Sequence, residues 1–143
     1  MYPNLITMVQ ELILQWEENK FKLEDYFRTT KQSEYCSYKK IVTKIFELCL
    51  PMADEFFGFD LSKMKVIDDG DYQGTQIFII PKNMYQPSIY DYIMTNTYYG
   101  SCSSCDTLLS IYNYNDGLPT DEQVKDYMTL ALHLVQKLKW LAE

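Results

Sequence analysis

A chain of 143 residues with 47% apolar side chains is long enough to bury one continuous core and short for two domains, so the expectation is a single domain over residues 1–143. Its net charge of −7 repels a phosphate backbone and favours a basic protein surface, which argues against direct nucleic-acid binding. No apolar run approaches the ~18 residues that cross a bilayer, and Met1-Tyr2-Pro3-Asn4 has no basic leader character, so a cytoplasmic protein with reduced cysteines and no membrane contact is expected.

From the N-terminus, Leu5, Ile6, Val9, Leu12, Ile13 and Trp16 recur at steps of three and four, and Pro3 suits a first helical turn, which predicts a helix over 3–19. Leu23, Tyr26 and Phe27 continue the pattern, either as an extension or as a second short helix. After the polar stretch 29–33, Ser33 is the candidate N-cap of a helix carrying Tyr38, Ile41, Val42, Ile45, Phe46 and Cys49, stopped by Pro51. Residues 1–50 are therefore read as the helical part.

From Met64 the period changes toward two. Lys65-Val66-Ile67 and Gln76 to Ile80 flank the turn-rich Asp68-Asp69-Gly70-Asp71-Tyr72-Gln73-Gly74, a hairpin pattern, and the run Ile77-Phe78-Ile79-Ile80 before Pro81 reads as a buried strand. A third strand is expected over 92–99, ended by Gly100-Ser101, and a short helix over 106–112. Thr120 and Gln123 have capping-box spacing and open the clearest element, a helix over 121–141 with Val124, Met128, Ala131, Val135 and Leu138 on one stripe and Tyr127, Leu130, Leu134 and Leu141 widening it. The fold class is thus α+β: a small antiparallel three-stranded sheet over 64–100, packed against the N-terminal helices and a long C-terminal helix.

Two patterns bear on chemistry. Cys102-Ser103-Ser104-Cys105 lies between a predicted strand and a predicted helix, where a helix N-terminus favours thiolate. A thiol-redox site is the first alternative it raises, but the two helices expected after Cys105 are not the further strands of a thioredoxin-like fold. Zinc is the second, but four ligands are wanted. Cys36 and Cys49, thirteen residues apart on one helix, fall on nearly opposite faces, and His133 sits beside Thr129, Gln136 and Lys137, off the apolar stripe. The expectation is that the pair is reduced and metal-free, shaping a sharp turn with Ser103 or Ser104 capping the next helix. With no catalytic triad, phosphate-cradling glycine loop or H-E-x-x-H pair, no enzyme activity, cofactor or metal is expected.

The second pattern is a tyrosine excess. Eight of the thirteen tyrosines fall between Tyr72 and Tyr114, interleaved with six aspartates from Asp68 to Asp116. Flat rings with a polar tip suit protein contact, and carboxylates speed encounter with a basic partner. The candidate contact residues are Asp68, Asp69, Asp71, Tyr72, Tyr85, Tyr90, Asp91, Tyr98 and Tyr99.

Three stretches carry a resemblance: Asp68 to Gly74, Tyr98 to Leu108 (Tyr-Tyr-Gly-Ser-Cys-Ser-Ser-Cys-Asp-Thr-Leu) and Tyr127 to Gln136 (Tyr-Met-Thr-Leu-Ala-Leu-His-Leu-Val-Gln). Together, over roughly 64–141, they resemble a family of small bacteriophage and prophage proteins without an assigned activity, with the N-terminal helices as a variable part. The resemblance implies a binding protein in an infected or lysogenic bacterial host. An acidic chain of this kind is similar in type to inhibitors of host or defence proteins, anti-CRISPR proteins among them, or to an adaptor. Its expected partner is a host or defence protein with a basic surface, and a homo-oligomer is compatible with the same reading.

Overall fold

A computed structural model of the chain describes residues 8–50, 58–100 and 106–142. The first element, α1, runs unbroken over Met8–Thr29, so the weaker apolar pattern around Leu23 extends the first helix. Its core stripe is Leu12, Trp16, Leu23 and Phe27, all buried, whereas Ile13 is 41% exposed. Asn19 takes the step between Trp16 and Leu23. Its amide donates to Gln15 O at 2.9 Å and to Cys49 O at 3.5 Å, so the polar group is satisfied where the stripe passes the next helix.

Ser33 is not the cap of that next helix. A 3-10 turn over Gln32–Tyr35 intervenes, because Gln32 and Tyr35 are drawn into the core and the chain folds back to bury them. The Gln32 side chain donates to Gly117 O at 3.1 Å and accepts from the Tyr127 hydroxyl at 2.7 Å, while Tyr35 donates to Phe27 O at 3.1 Å. The rings of Phe27, Tyr35 and Tyr127 close over this junction, with centroids 4.7, 5.0 and 5.3 Å apart pairwise. Fully burying side chains of this size stabilises by about 2 kcal/mol each. Helix α2 (Tyr38–Lys44) then starts after Ser37, whose hydroxyl accepts from the Lys40 amide at 3.2 Å. It runs on into a wider π turn, Ile45–Cys49, closed by Leu50 N–H on Ile45 O at 3.2 Å. The helical path thus ends just before Pro51, as a residue preceding proline favours.

Among the described residues the sheet is antiparallel with four strands in chain order: β1 (Lys65–Asp68), β2 (Gly74–Pro81), β3 (Tyr92–Tyr99) and β4 (Lys139–Trp140). The hairpin and the third strand fall where the period-two pattern puts them. The fourth strand corrects the expected count of three, and it comes from the end of the predicted C-terminal helix. Helix α4 stops at Gln136 because its last turn is tied to the sheet: the Thr95 hydroxyl donates to Leu134 O at 2.7 Å, satisfying one of the final carbonyls. Trp140 then pairs with Ile93, and Leu141 N–H reaches Tyr92 O at 2.9 Å. β4 thereby covers the Tyr92 to Met94 end of the outer edge of β3. Thr120 and Gln123 form the capping box at the start of α4.

Alternation sorts the sheet into two faces. Phe78, Ile80, Ile93, Thr95 and Thr97 are buried, and with Val42, Ile45, Phe46, Leu134, Val135 and Leu138 they join the sheet to α2, the π turn and α4. Helix α1 packs mainly on α4 and the π turn, one layer out from the strands. The opposite face carries Ile67, Ile77, Ile79 and Met94, none of them in the core cluster. The reading of Ile77 to Ile80 as a fully buried strand is thus corrected: only Phe78 and Ile80 are buried, with Ile77 and Ile79 half-buried on the outer face.

Candidate functional site

The strand register brings together part of the tyrosine and aspartate set. Gly74 pairs with Tyr99 and Thr75 with Tyr98, so the end of β3 lies against the β1–β2 connection that carries Asp68, Asp69, Asp71 and Tyr72. Two glycines hold this connection tight. A methyl group at Gly70 would lie 2.0 Å from Gln73 O, and one at Gly74 would lie 2.7 Å from Asp69 O. Asp69 N–H donates to Thr75 O at 3.1 Å, continuing the ladder into the turn.

Within this cluster Asp68 is the organised carboxylate. It accepts from the Tyr99 hydroxyl at 2.5 Å and from Gln76 Nε2 at 3.1 Å. The Tyr99 hydrogen bond, then that of Gln76, holds the Asp68 carboxyl below its ordinary range. The reciprocal bond to Asp68, with some desolvation and the nearby charges of Asp71 and Asp69, pushes the Tyr99 phenol up to about 12. Asp69 and Asp71 are exposed, Tyr72 is 81% exposed, and Tyr98 turns to the outer face beside Thr75.

Tyr85, Tyr90 and Asp91 sit elsewhere. They belong to the β2–β3 connection at the far end of the sheet, separated from the turn by the eight residues of β2, a length of about 24 Å. Tyr85 and Tyr90 are strongly exposed. Asp91, by contrast, is occupied: it accepts from Ser88 N–H at 2.8 Å and Ser88 Oγ at 3.0 Å, closing a capping box around the 3-10 turn Ile89–Asp91, and it lies 3.9 Å from Lys82 Nζ. These Ser88 bonds lower its pKa, with Lys82 adding to the effect. The nine candidate residues therefore form two groups, and Asp91 serves local structure.

Asp106 is the carboxylate that sequence reasoning placed wrongly. It is buried, not part of an acidic surface. Its Oδ1 accepts from the Tyr38 hydroxyl at 2.6 Å and the Leu109 amide at 3.2 Å, and its Oδ2 from the Gly100 amide at 2.8 Å. Asp106 is thus the N-cap of α3 (Thr107–Tyr112), the role expected of Ser103 or Ser104. An aspartate directly before Thr-Leu-Leu was the available signal.

Cys102 and Cys105 lie outside the described residues. Among the described residues no cluster of three His, Cys, Asp or Glu side chains could hold a metal. Cys36 is exposed, and Cys49 is buried. Desolvation pushes the Cys49 thiol up to about 11, with Asn19 O 3.6 Å from its sulfur, which suits packing and not nucleophilic work. His133 is exposed on α4. An open groove of about 720 Å³ runs along α1, lined by Phe21, Lys22, Tyr26, Arg28 and Leu48 among others. Its Arg28 is already paired with Glu24 at 3.0 Å and with Asp121.

Sequence reasoning also missed the outer sheet face. Ile67 lies opposite Ile77, and Ile79 lies between Lys65 and Met94, so an apolar band crosses three strands, with Asn96 and Thr75 between it and Tyr98. The alternation that signals it was masked by the unbroken apolar run. Among the described residues no helix is long and apolar enough to cross a membrane. Compared with family models, with curated proteins and with solved structures, the chain matches none.

Proposed function

We propose that the protein is a non-catalytic binding module that docks on a protein with a basic surface through the β1–β2 turn. The observation that carries this reading is the convergence of Asp69, Asp71, Tyr72 and Tyr98 at one exposed edge, stiffened by the Tyr99–Asp68 hydrogen bond and the two turn glycines. Exposed carboxylates steer a cationic partner, and a tyrosine ring, with only two side-chain torsions to order, supplies contact area at low entropic cost. Asp68 and Tyr99 position the turn, while the others meet the partner. The resemblance to phage and prophage proteins directs the search to a host or defence protein in the bacterial cytoplasm, with inhibition or adaptor function as the consequence of docking.

The test is capture from a host lysate at low and high salt, using the wild-type chain and the variant Asp69→Asn/Asp71→Asn/Tyr72→Ala. A basic protein retained at low salt, released at high salt and lost with the variant supports the reading. Capture that ignores both salt and the variant, or recovery of small metabolites alone, contradicts it.

A further inference from the structure

The geometry points to β1 as a self-pairing edge, through which two copies join antiparallel about a two-fold axis at Ile67 into one continuous sheet. This inference rests on the edge strand and not on a basic partner, and it shares only the Asp69 side chain with the binding role proposed for the turn. In the sheet order β1 is terminal, and among the described residues no strand lies on its outer side. All four of its residues are exposed, with Val66 36% and Ile67 48% accessible. It has no proline and no bulge, two of the devices that blunt such edges.

The ladder fixes which groups are free. Asp69 N–H donates to Thr75 O, which makes residues 69 and 75 a hydrogen-bonded pair. In an antiparallel ladder such pairs alternate with non-hydrogen-bonded ones, so Lys65 and Ile67 also point their backbone groups at β2. Val66 and Asp68 then direct N–H and C=O outward. A second β1 placed antiparallel, with Ile67 opposite its own copy, sets Val66 opposite Asp68 of the other chain. Both residues offer the outward groups that this register needs.

Side chains select this register over its neighbours. With the axis at Ile67, the two isoleucines meet at a non-hydrogen-bonded position, where Cα atoms approach to about 4.5 Å. Lys65 falls opposite Asp69 of the other copy on the same face, once on each side of the axis. Moving the axis to Val66 sets Lys65 against Ile67, and moving it to Asp68 sets Asp68 against its own copy. Opposite charges across strands stabilise and like charges destabilise, so of these three registers only the one at Ile67 both pairs opposite charges and sets isoleucine on isoleucine, with Val66 opposite Asp68 as its one mismatch. Lys65, which would repel a stack of unrelated edges, gains a partner here. The contact is isologous, each copy using the same strand, so it closes at two chains.

The experiment is sedimentation equilibrium from about 1 µM to about 1 mM on the wild-type chain, Val66→Pro, Lys65→Asp, Asp69→Lys and the double variant Lys65→Asp/Asp69→Lys. The wild type is expected to reach twice the 17.0 kDa chain mass within that range. Val66→Pro removes an outward donor while sparing the β1–β2 bonds, and is expected to stay monomeric. Each single charge reversal is expected to weaken association about tenfold or more, and the double reversal to restore it. Hydrogen exchange on the wild type adds a readout that needs no variant: Val66 and Asp68 amides gain protection as concentration rises. A wild-type monomer across the range, a dimer that survives in folded Val66→Pro, or no added protection at these two amides would overturn the inference.

Discussion

Two tyrosine–aspartate pairs of nearly identical geometry do different work in this molecule. Tyr38 donates to Asp106 at 2.6 Å in the interior, and Tyr99 donates to Asp68 at 2.5 Å beside an exposed turn. The inner pair is joined by the amides of Gly100, Leu108 and Leu109, so both Asp106 oxygens and the Tyr38 hydroxyl have partners inside the protein. At the outer pair Gln76 adds a side-chain donor and Gly70 a weaker backbone one, and neighbouring Asp69 and Asp71 face solvent. Burial is the difference. A buried hydrogen-bonded carboxylate is costly to disturb, whereas an exposed one exchanges its partners for water at little cost. The first pair thus holds the fold and the second shapes a surface.

The largest expected effect comes from breaking the inner pair. Asp106→Ala removes the α3 cap and takes the acceptor from the Gly100 amide and from the Tyr38 O–H in the interior, which predicts a loss of about 3 kcal/mol in urea denaturation. A loss within about 0.5 kcal/mol, the range of ordinary surface substitutions, would show that the network is not structural. Next is the frame of the outer pair. Gly70→Ala forces a methyl group onto the Gln73 carbonyl and is expected to cost about 2 kcal/mol in the same assay, with turn capture of a partner reduced. An unchanged midpoint and unchanged capture would contradict the tight turn.

The smallest effect is electrostatic. Because the Asp68 carboxyl is depressed when folded, its contribution is present above the ordinary value of 3.8 and is lost as pH falls through the lower folded value. The Tyr99 phenol is raised, so its contribution is present below 10.0 and lost as pH rises through about 12. The outer pair is therefore intact across the whole neutral range. In an ultraviolet absorbance titration, the component that disappears in Tyr99→Phe is expected to titrate near 12. A component near 10 would mean that the hydrogen bond is not held.

How much of this was legible follows from the range of each signal. Local signals were read correctly: the hairpin around Asp68 to Gly74, strand β3 and the Thr120–Gln123 capping box all rest on contacts within a few residues. Failures came where distant residues decide. Gln32 is buried because Gly117 and Tyr127 satisfy it, and no neighbour in sequence announces this, so local spacing alone points to Ser33 as the helix start. Helical spacing continues through Leu141, but Thr95 takes the Leu134 carbonyl and Trp140 finds Ile93, which converts the tail into β4. The candidate site was half legible for the same reason. The Asp68 to Tyr72 stretch is contiguous, and its meeting with Tyr98 and Tyr99 follows from a hairpin followed by a third strand. That Tyr85, Tyr90 and Asp91 fall at the opposite end of β2, and that Asp106 turns inward, depends on register and packing that composition does not carry.

The comparison between the two ends of the sheet gives the most direct test of the binding reading. The affinity of the captured partner would be measured for the wild type, for the turn variant Asp69→Asn/Asp71→Asn/Tyr72→Ala and for the far-end variant Tyr85→Ala/Tyr90→Ala, each verified as folded by its denaturation midpoint. The account predicts that the turn variant weakens binding about tenfold or more, the scale of losing one or more central contacts, while the far-end variant stays within about twofold. Equal losses at both ends, or a loss confined to Tyr85 and Tyr90, would contradict it.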